Sequence, residues 1–287
     1  MGMNKLARDK RIQIISLLTE GRSLRAITRV TGASINTVTK LLVDAGRACS
    51  DYQDRAFRNL TCRRIQVDEV WSFVYAKAKN VGTAKAAPDK AGDIWTWTAI
   101  DADTKLIPSW RVGSRDGEEA KAFIADLASR LANRVQLTSD GHRPYLEAVE
   151  ESFGADIDYA MLIKHYGEPV GALGRYSPGE CTGIELRRVE GRPDEAHVST
   201  SYIERSNLTL RMNVRRFTRL TNAFSKKAEN HAYAVGLHLM VYNFVRIHGT
   251  LKCSPAMEAG VTGKLWEIAD VVTMIEEWEN NQVATSN

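Results

Sequence analysis

Residues 65–75 read IQVDEVWSFVY. β-Branched and aromatic side chains fill this stretch, which predicts a strand. The apolar run is too continuous for a half-solvated hairpin, so the strand is expected at the centre of a sheet, covered on both faces. Asp68 and Glu69 interrupt it. A carboxylate in a buried strand is costly unless it is paired or holds a metal. The expectation is that Asp68 is the first ligand of a catalytic metal site. Side chains alternate along a strand, so Glu69 points to the opposite face and is expected to pair with a Lys or Arg, outside the metal site.

Upstream, residues 9–45 predict three short helices. Ser23 caps the second (Leu24–Thr31), Gly32-Ala33 turns the chain, and Ser34 caps the third, with Gly46 as its stop. This is a helix-turn-helix arrangement. Its third helix presents Ser34, Asn36, Thr37 and Lys40 outward near the N-terminal end, where a recognition helix meets base edges. Residues 1–64 hold 13 Lys/Arg against 5 Asp/Glu, which suits a nucleic-acid partner. Residues 1–48 are read as a helix-turn-helix DNA-binding domain and 49–64 as a linker.

Downstream, Asp93–Ile100 and Lys105–Val112 predict two more strands in an antiparallel meander. A helix over Glu118–Ala132, a strand over Val135–Ser139, a helix over Pro144–Phe153 and a strand over Ala155–Tyr166 follow. Residues 167–198 are rich in Gly and Pro and are treated as an insertion, with room for a small hairpin around Ile184–Val189. Long helices are predicted over Ser201 to about Leu220 and over Lys227–Ile247, and an acidic amphipathic helix over Leu265–Trp278. The expected fold class is α/β: a mixed five-stranded sheet with flanking helices over 65–250, preceded by the small all-α domain and followed by a helical tail over 251–287. The element order resembles the ribonuclease-H-like fold, in which the first strand and the end of the fourth lie side by side. Asp68 and Asp140 occupy those two places.

The 287-residue chain carries 44% hydrophobic and 26% charged residues, the balance of a water-exposed globular protein. No run of about 20 apolar residues predicts a membrane span. The N-terminus lacks the apolar segment of a signal peptide. Cys49, Cys62, Cys181 and Cys253 are scattered, so no zinc knuckle or disulfide framework is indicated. A reduced, cytoplasmic, nucleoid-associated protein is the expectation. A second basic stretch, Arg205–Lys227, holds seven Lys/Arg and no acid.

Two further carboxylates stand out. Asp140 follows the strand VQLTS and precedes Gly141, at a strand's carboxyl end, where α/β proteins place their chemistry; Asp-Gly is equally common in plain turns. Glu204 falls in Ser201-Tyr-Ile-Glu204, a capping box. It also opens a helical face that continues through Asn207, Arg211 and Arg215. A carboxylate with an amide and arginines behind it fits metal binding followed by phosphate contacts. Three carboxylates without Cys or a His pair make a hard oxygen site, favouring Mg²⁺ or Mn²⁺, and two such ions would suit phosphodiester cleavage and transfer.

The motifs VDEVWSF, TSDGH and STSYIERSNLTLRMNVRRFTRLTNAFSK resemble the DDE transposases of insertion sequences, specifically the Insertion Sequence One group. The later stretch YNFVRIHGTL resembles the tail of that group. The resemblance covers roughly residues 10–270. It implies that Asp68, Asp140 and Glu204 form a metal-binding triad on a ribonuclease-H-like core, and that the substrate is double-stranded DNA at an element's terminal inverted repeats. It also implies that His142, Asn207, Arg211 and Arg215 contact DNA or the triad, and it marks Tyr242, Asn243, Arg246 and His248. A homo-oligomer is expected, because two DNA ends must be brought together. The chain departs from the group's type members in two ways. The Asp140–Glu204 interval is longer, with Glu168, Glu180 and Glu185 inside it, and no cysteine precedes Cys49 to build a zinc module. Glu204 is preferred over those glutamates because it lies on a helix with a basic face. Two other functions remain open on the sequence: a DNA-binding regulator or domesticated inactive transposase using the helix-turn-helix alone, and a nuclease that cuts without joining.

Overall fold

The computed structural model describes residues 6–167, 179–218 and 221–285. The chain opens with α1 (Arg8–Thr19), α2 (Leu24–Thr31) and α3 (Ile35–Ala56). Then come β1 (Arg64–Val74), the short α4 (Ala78–Val81), β2 (Gly92–Asp101), β3 (Trp110–Gly113), α5 (Gly117–Arg130), β4 (Gln136–Ser139), α6 (Pro144–Phe153), β5 (Asp158–Tyr166) and β6 (Cys181–Glu190). It closes with α7 (Ser201–Asn213), α8 (Ala228–Phe244), α9 (Pro255–Glu258) and α10 (Ile268–Thr285).

The sheet runs β3-β2-β1-β4-β5-β6. β1 to β3 form the antiparallel meander, β1–β4 and β4–β5 are parallel, and β5–β6 is antiparallel. Its first five strands follow the ribonuclease-H-like order, with β1 and β4 adjacent as expected. The sheet has six strands, not five: β6 lies inside the stretch read as an insertion. Its side chains are mostly exposed. An edge strand needs no apolar run to find its place, so the hydrophobic pattern that reveals central strands is missing there. The third strand is shorter than expected. Pro108 has no N–H for the ladder, and pairing begins only at Trp110.

The caps on α2 and α3 form as the sequence predicts. Ser23 Oγ accepts from Ala26 N and Ser34 Oγ from Thr37 N, and Gly32 turns the chain with φ of 72°. α3 does not stop at Gly46. It runs on through Ala56, so residues 49–56, expected as linker, are helical. Gly46 answers a packing demand instead of a stop. A Cβ there would overlap the Tyr233 Cβ and backbone on α8. A Cβ at Gly236 on α8 would lie 2.8 Å from Ser50 Oγ and 3.1 Å from Trp110. The two glycines let α3 and α8 cross at close range.

The apolar side chains form two clusters. The larger holds Ile14, Leu41 and Cys49 of the first helices with Val67, Trp97, Phe123, Leu137, Tyr145, Phe244 and Ile275. The smaller seats α7 and α8 on the sheet through Val70, Ile100, Ile203, Leu210 and Leu239. The helix-turn-helix therefore shares its core with the sheet and with α10. Arg8 pairs with Glu276 at 2.7 Å, and Arg11 pairs with Glu279. First and last helices close on each other, and the tail is helical to Thr285. No helix among the described residues is long and apolar enough to cross a membrane.

Candidate functional site

The parallel register pairs Ile65 with Leu137 and Gln66 with Thr138. Two residues further along both chains, Asp68 comes abreast of Asp140. β4 has ended by then, at Ser139, and Asp140 turns with Gly141, its carboxylate accepting from His142 N at 2.9 Å. The end of β4 leaves a gap beside β1. Asp68 enters it from one face of the sheet and Glu69 from the other. One carboxylate oxygen each of Asp68, Glu69 and Asp140 lies within 4.8 Å of the other two.

Each carboxylate has its own supports. Asp68 accepts from Glu69 N at 2.8 Å and from Asn207 Nδ2 at 2.7 Å. Asn207 in turn takes Thr98 Oγ1 at 3.3 Å. Glu69 pairs with Arg115 at 2.6 Å and accepts from Tyr145 Oη at 3.0 Å. Pairing with an arginine is what strand alternation predicts. Closeness to Asp68 and Asp140 is not: alternation describes a strand with a neighbour on both sides, and here the neighbour stops.

α7 is fixed by the same strand. Gln66, on the Asp68 face of β1, accepts from Tyr202 N at 2.9 Å and from Ile203 N at 3.0 Å through Oε1. Two amide groups at the start of α7 are thereby satisfied from the sheet. The expected Ser201–Glu204 capping box does not form. Thr200 holds the cap position, and no side chain of its own closes it. Instead Glu204 pairs with Lys164 of β5 and accepts from Thr200 Oγ1 at 2.6 Å. Glu204 is therefore absent from the acidic cluster among the described residues. Sequence reasoning missed Gln66, Arg115, Tyr145 and Lys164. A polar residue two positions from Asp68 in a buried strand was the one available signal, for Gln66.

The other expected site residues separate. Arg211 stays on α7, half-buried, but α7 ends at Asn213 and Arg215 begins a separate 3₁₀ turn, Arg215–Phe217. The continuous face from Glu204 to Arg215 is thus broken at Val214. Leu220, where that helix was expected to end, lies outside the described residues, as does Glu168. Glu180 and Glu185 lie at exposed positions, Glu185 beside His165. The His142 ring packs against Trp97 and Tyr145, with centroids at 5.7 and 5.8 Å, and its Nε2 is buried without a partner. Ser34, Asn36 and Lys40 are exposed and Thr37 half-buried at the start of α3, as expected, with Lys40 paired to Asp44. Asn243 is fully buried and clamps the Ile107 backbone, accepting from its N at 3.0 Å and donating to its O at 3.1 Å.

Burial, with Glu69 and Asp140 close by, pushes the Asp68 carboxyl up to about 7, against the pull of the Glu69 amide and Asn207. Burial and Asp140 raise Glu69, while Arg115 and Tyr145 oppose the rise. Crowded carboxylates with too little positive charge are relieved by a divalent cation. Three hard oxygen donors suit Mg²⁺, Mn²⁺ or Ca²⁺ better than a softer metal. The residues present fit such an ion.

No protein-family model matches the chain. It is 26% identical over 179 residues to the insertion element iso-IS1n protein InsB of Shigella dysenteriae, covering 62% of this chain and 95% of that protein. The chain resembles an insertion-element protein. A solved piggyBac transposase synaptic complex with hairpin DNA superposes with a TM-score of 0.43 at 9% identity, over 96% of this chain and 72% of that one. A Mos1 mariner paired-end complex with Mn gives 0.28 at 11% identity, over 84% and 78%. At these scores the fold assignment rests on the sheet order alone. The sequence similarity to an insertion-element protein, the sheet order and the acidic cluster are the findings from which a function is read.

Proposed function

We propose that the protein is an insertion-sequence transposase of the DDE type, cutting and joining double-stranded DNA at the ends of its element with a divalent metal held by Asp68 and Asp140. The observation that carries this reading is the pairing of Asp68 with Asp140 at the β1–β4 gap, with Asn207 of α7 bound to Asp68. A bound divalent ion supplies charge neutralisation at a phosphodiester and activation of an attacking hydroxyl. The chain's own residues do the rest. Gln66 sets the height of α7, Asn207 orients Asp68, and Arg115 with Tyr145 holds Glu69 against the cluster. Glu204 stands one turn before Asn207 on α7 and completes the triad by leaving Lys164. The exposed start of α3 binds the element ends, and two copies of the chain hold two ends together.

The test is cleavage and joining of DNA carrying the element's terminal repeats, in Mg²⁺ or Mn²⁺. Asp68→Asn and Asp140→Asn are each expected to abolish both steps while leaving DNA binding intact; joining that survives in both variants refutes the assignment. Glu204→Gln should do the same, and Lys164→Ala should lower the metal concentration needed. One observation favours a second reading, a DNA-binding regulator without catalysis: Glu204 is engaged by Lys164 and Thr200. That reading wins if the unsubstituted protein binds the repeats and never nicks them in either metal.

A further inference from the structure

On the other flank of α7 from Glu204 lies a cavity of about 210 Å³, between α7, the turn after β2 and the end of α8. Four basic side chains line it: Lys105, Arg205, Arg246 and His248. Lys105 is buried, its Nζ over the Tyr202 ring at 3.4 Å and bonded to the Ala102 carbonyl. The carboxylates of its own turn are occupied. Asp103 is paired with Arg64, and Asp101 accepts from Thr104 Oγ1 and from the Asp103 amide. Glu20 reaches Arg246 at 3.3 Å. Among the described residues no carboxylate forms an ion pair with Lys105 or Arg205. His248 Nδ1 is buried and has no hydrogen-bond partner. Burial, and then Lys105, lower its proton affinity.

The Lys105 and Arg205 cations without a carboxylate partner, a buried imidazole nitrogen without a hydrogen-bond partner and the Ser206 hydroxyl on the lining together describe an oxyanion site. Its position suggests which oxyanion. Ile100 on the cavity wall pairs with Gln66 across β1–β2, and Thr98 pairs with Asp68. Ile100 is thus one strand across from Asp68 and two residues along, about 8 Å between their backbones, with α7 lying between the cavity and the acidic cluster. A DNA strand held at Asp68 and Asp140 would reach it by passing around α7.

We propose that this cavity is a phosphate site for the DNA backbone, in which Arg205, Lys105, Arg246 and His248 hold a phosphodiester flanking the one that reacts. The proposal rests on the transposase reading and adds a site that sets the path of the strand. The contacts position the DNA and carry no sequence information.

The test uses the full chain without divalent metal and a fluorescent duplex, with affinity followed by anisotropy from low to high salt. Arg205→Gln with His248→Asn should weaken binding about tenfold or more and reduce the slope of log K against log salt by about 1 to 2. Lys121→Gln, on α5 across the sheet, removes one cation far from the cavity and should leave both unchanged. Circular dichroism confirms that each variant is folded. An unchanged affinity and slope in the folded double variant overturns the proposal, as does an equal loss in Lys121→Gln. Inorganic phosphate supplies the second arm. If millimolar phosphate shifts the His248 imidazole resonance while the double variant binds DNA normally, the cavity serves a free phosphate compound and the strand assignment falls. If the unsubstituted chain binds no duplex at any salt, the transposase reading itself fails, and the proposal with it.

Discussion

Replacing Gln66 by Leu tests whether the strand that carries the first carboxylate also sets the helix above it. Gln66 is buried, and its Oε1 accepts from Tyr202 N and Ile203 N at 2.9 and 3.0 Å. Leucine has a similar volume and no acceptor, so packing is largely kept while two amide groups lose their partner. Leaving a buried donor unsatisfied costs about 1–3 kcal/mol, and loss of a helix cap costs about 0.5–2 kcal/mol. Ile203 is buried and Tyr202 exposed, so one amide bears the full penalty and the other recovers water. The expected loss is about 1–3 kcal/mol. Denaturant unfolding measures it, and hydrogen exchange localises it: the amides of Tyr202 and Ile203 should lose protection before those of α8. Gln66→Glu keeps the acceptor and places negative charge at a helix N-terminus, but beside Asp68. It should restore the protection of those two amides without restoring full stability. A loss below about 0.5 kcal/mol in Gln66→Leu, with α7 amides still protected, refutes the argument that β1 holds α7 in place.

Three further outcomes follow from the packing. Gly46→Ala should destabilise by at least about 1–3 kcal/mol in denaturant titration, because the new methyl meets the Cβ and backbone of Tyr233, which have nowhere to retreat. His231 and His238 are buried as neutral rings, with burial first and the nearby Arg216 and Arg246 second holding each down to about 3. The unfolded chain protonates them near pH 6.5, so their contribution is complete above that pH and is lost as the pH falls toward 3. Stability measured down that range should fall by up to about 1.4 kcal/mol per pH unit for each histidine, with a shallower slope in a folded His238→Gln variant. Asn243→Ala leaves the N–H and C=O of Ile107 unpaired in the core and should cost about 2–4 kcal/mol; a near-neutral unfolding midpoint would show that the clamp contributes nothing.

The acidic cluster shows how far the sequence reaches. Asp68 and Asp140 were legible because each sits where its segment's own pattern marks it, one inside an apolar strand and one at a strand's end. Asn207 was legible as a polar residue on the Glu204 face. Glu69 was placed by alternation, which holds for a strand flanked on both sides and fails at the gap where β4 stops. Glu204 was read as a cap or a metal ligand. In the structure it pairs with Lys164, a residue 40 positions away that β5 carries alongside.

The sequence by itself determined the central strand, the meander, the Ser23 and Ser34 caps, the exposed polar face at the start of α3 and the two facing aspartates. Periods of 2.0 and 3.6 residues and side chains that bond three residues away are encoded within single segments. Tertiary structure alone decided that β6 completes the sheet, that α10 closes on α1, that Gly46 serves a helix crossing, and that Gln66 caps α7 in place of Ser201 and Glu204. Each of these depends on which distant backbone arrives beside a side chain. That is set by where neighbouring strands end and how closely helices cross, and no local pattern records it.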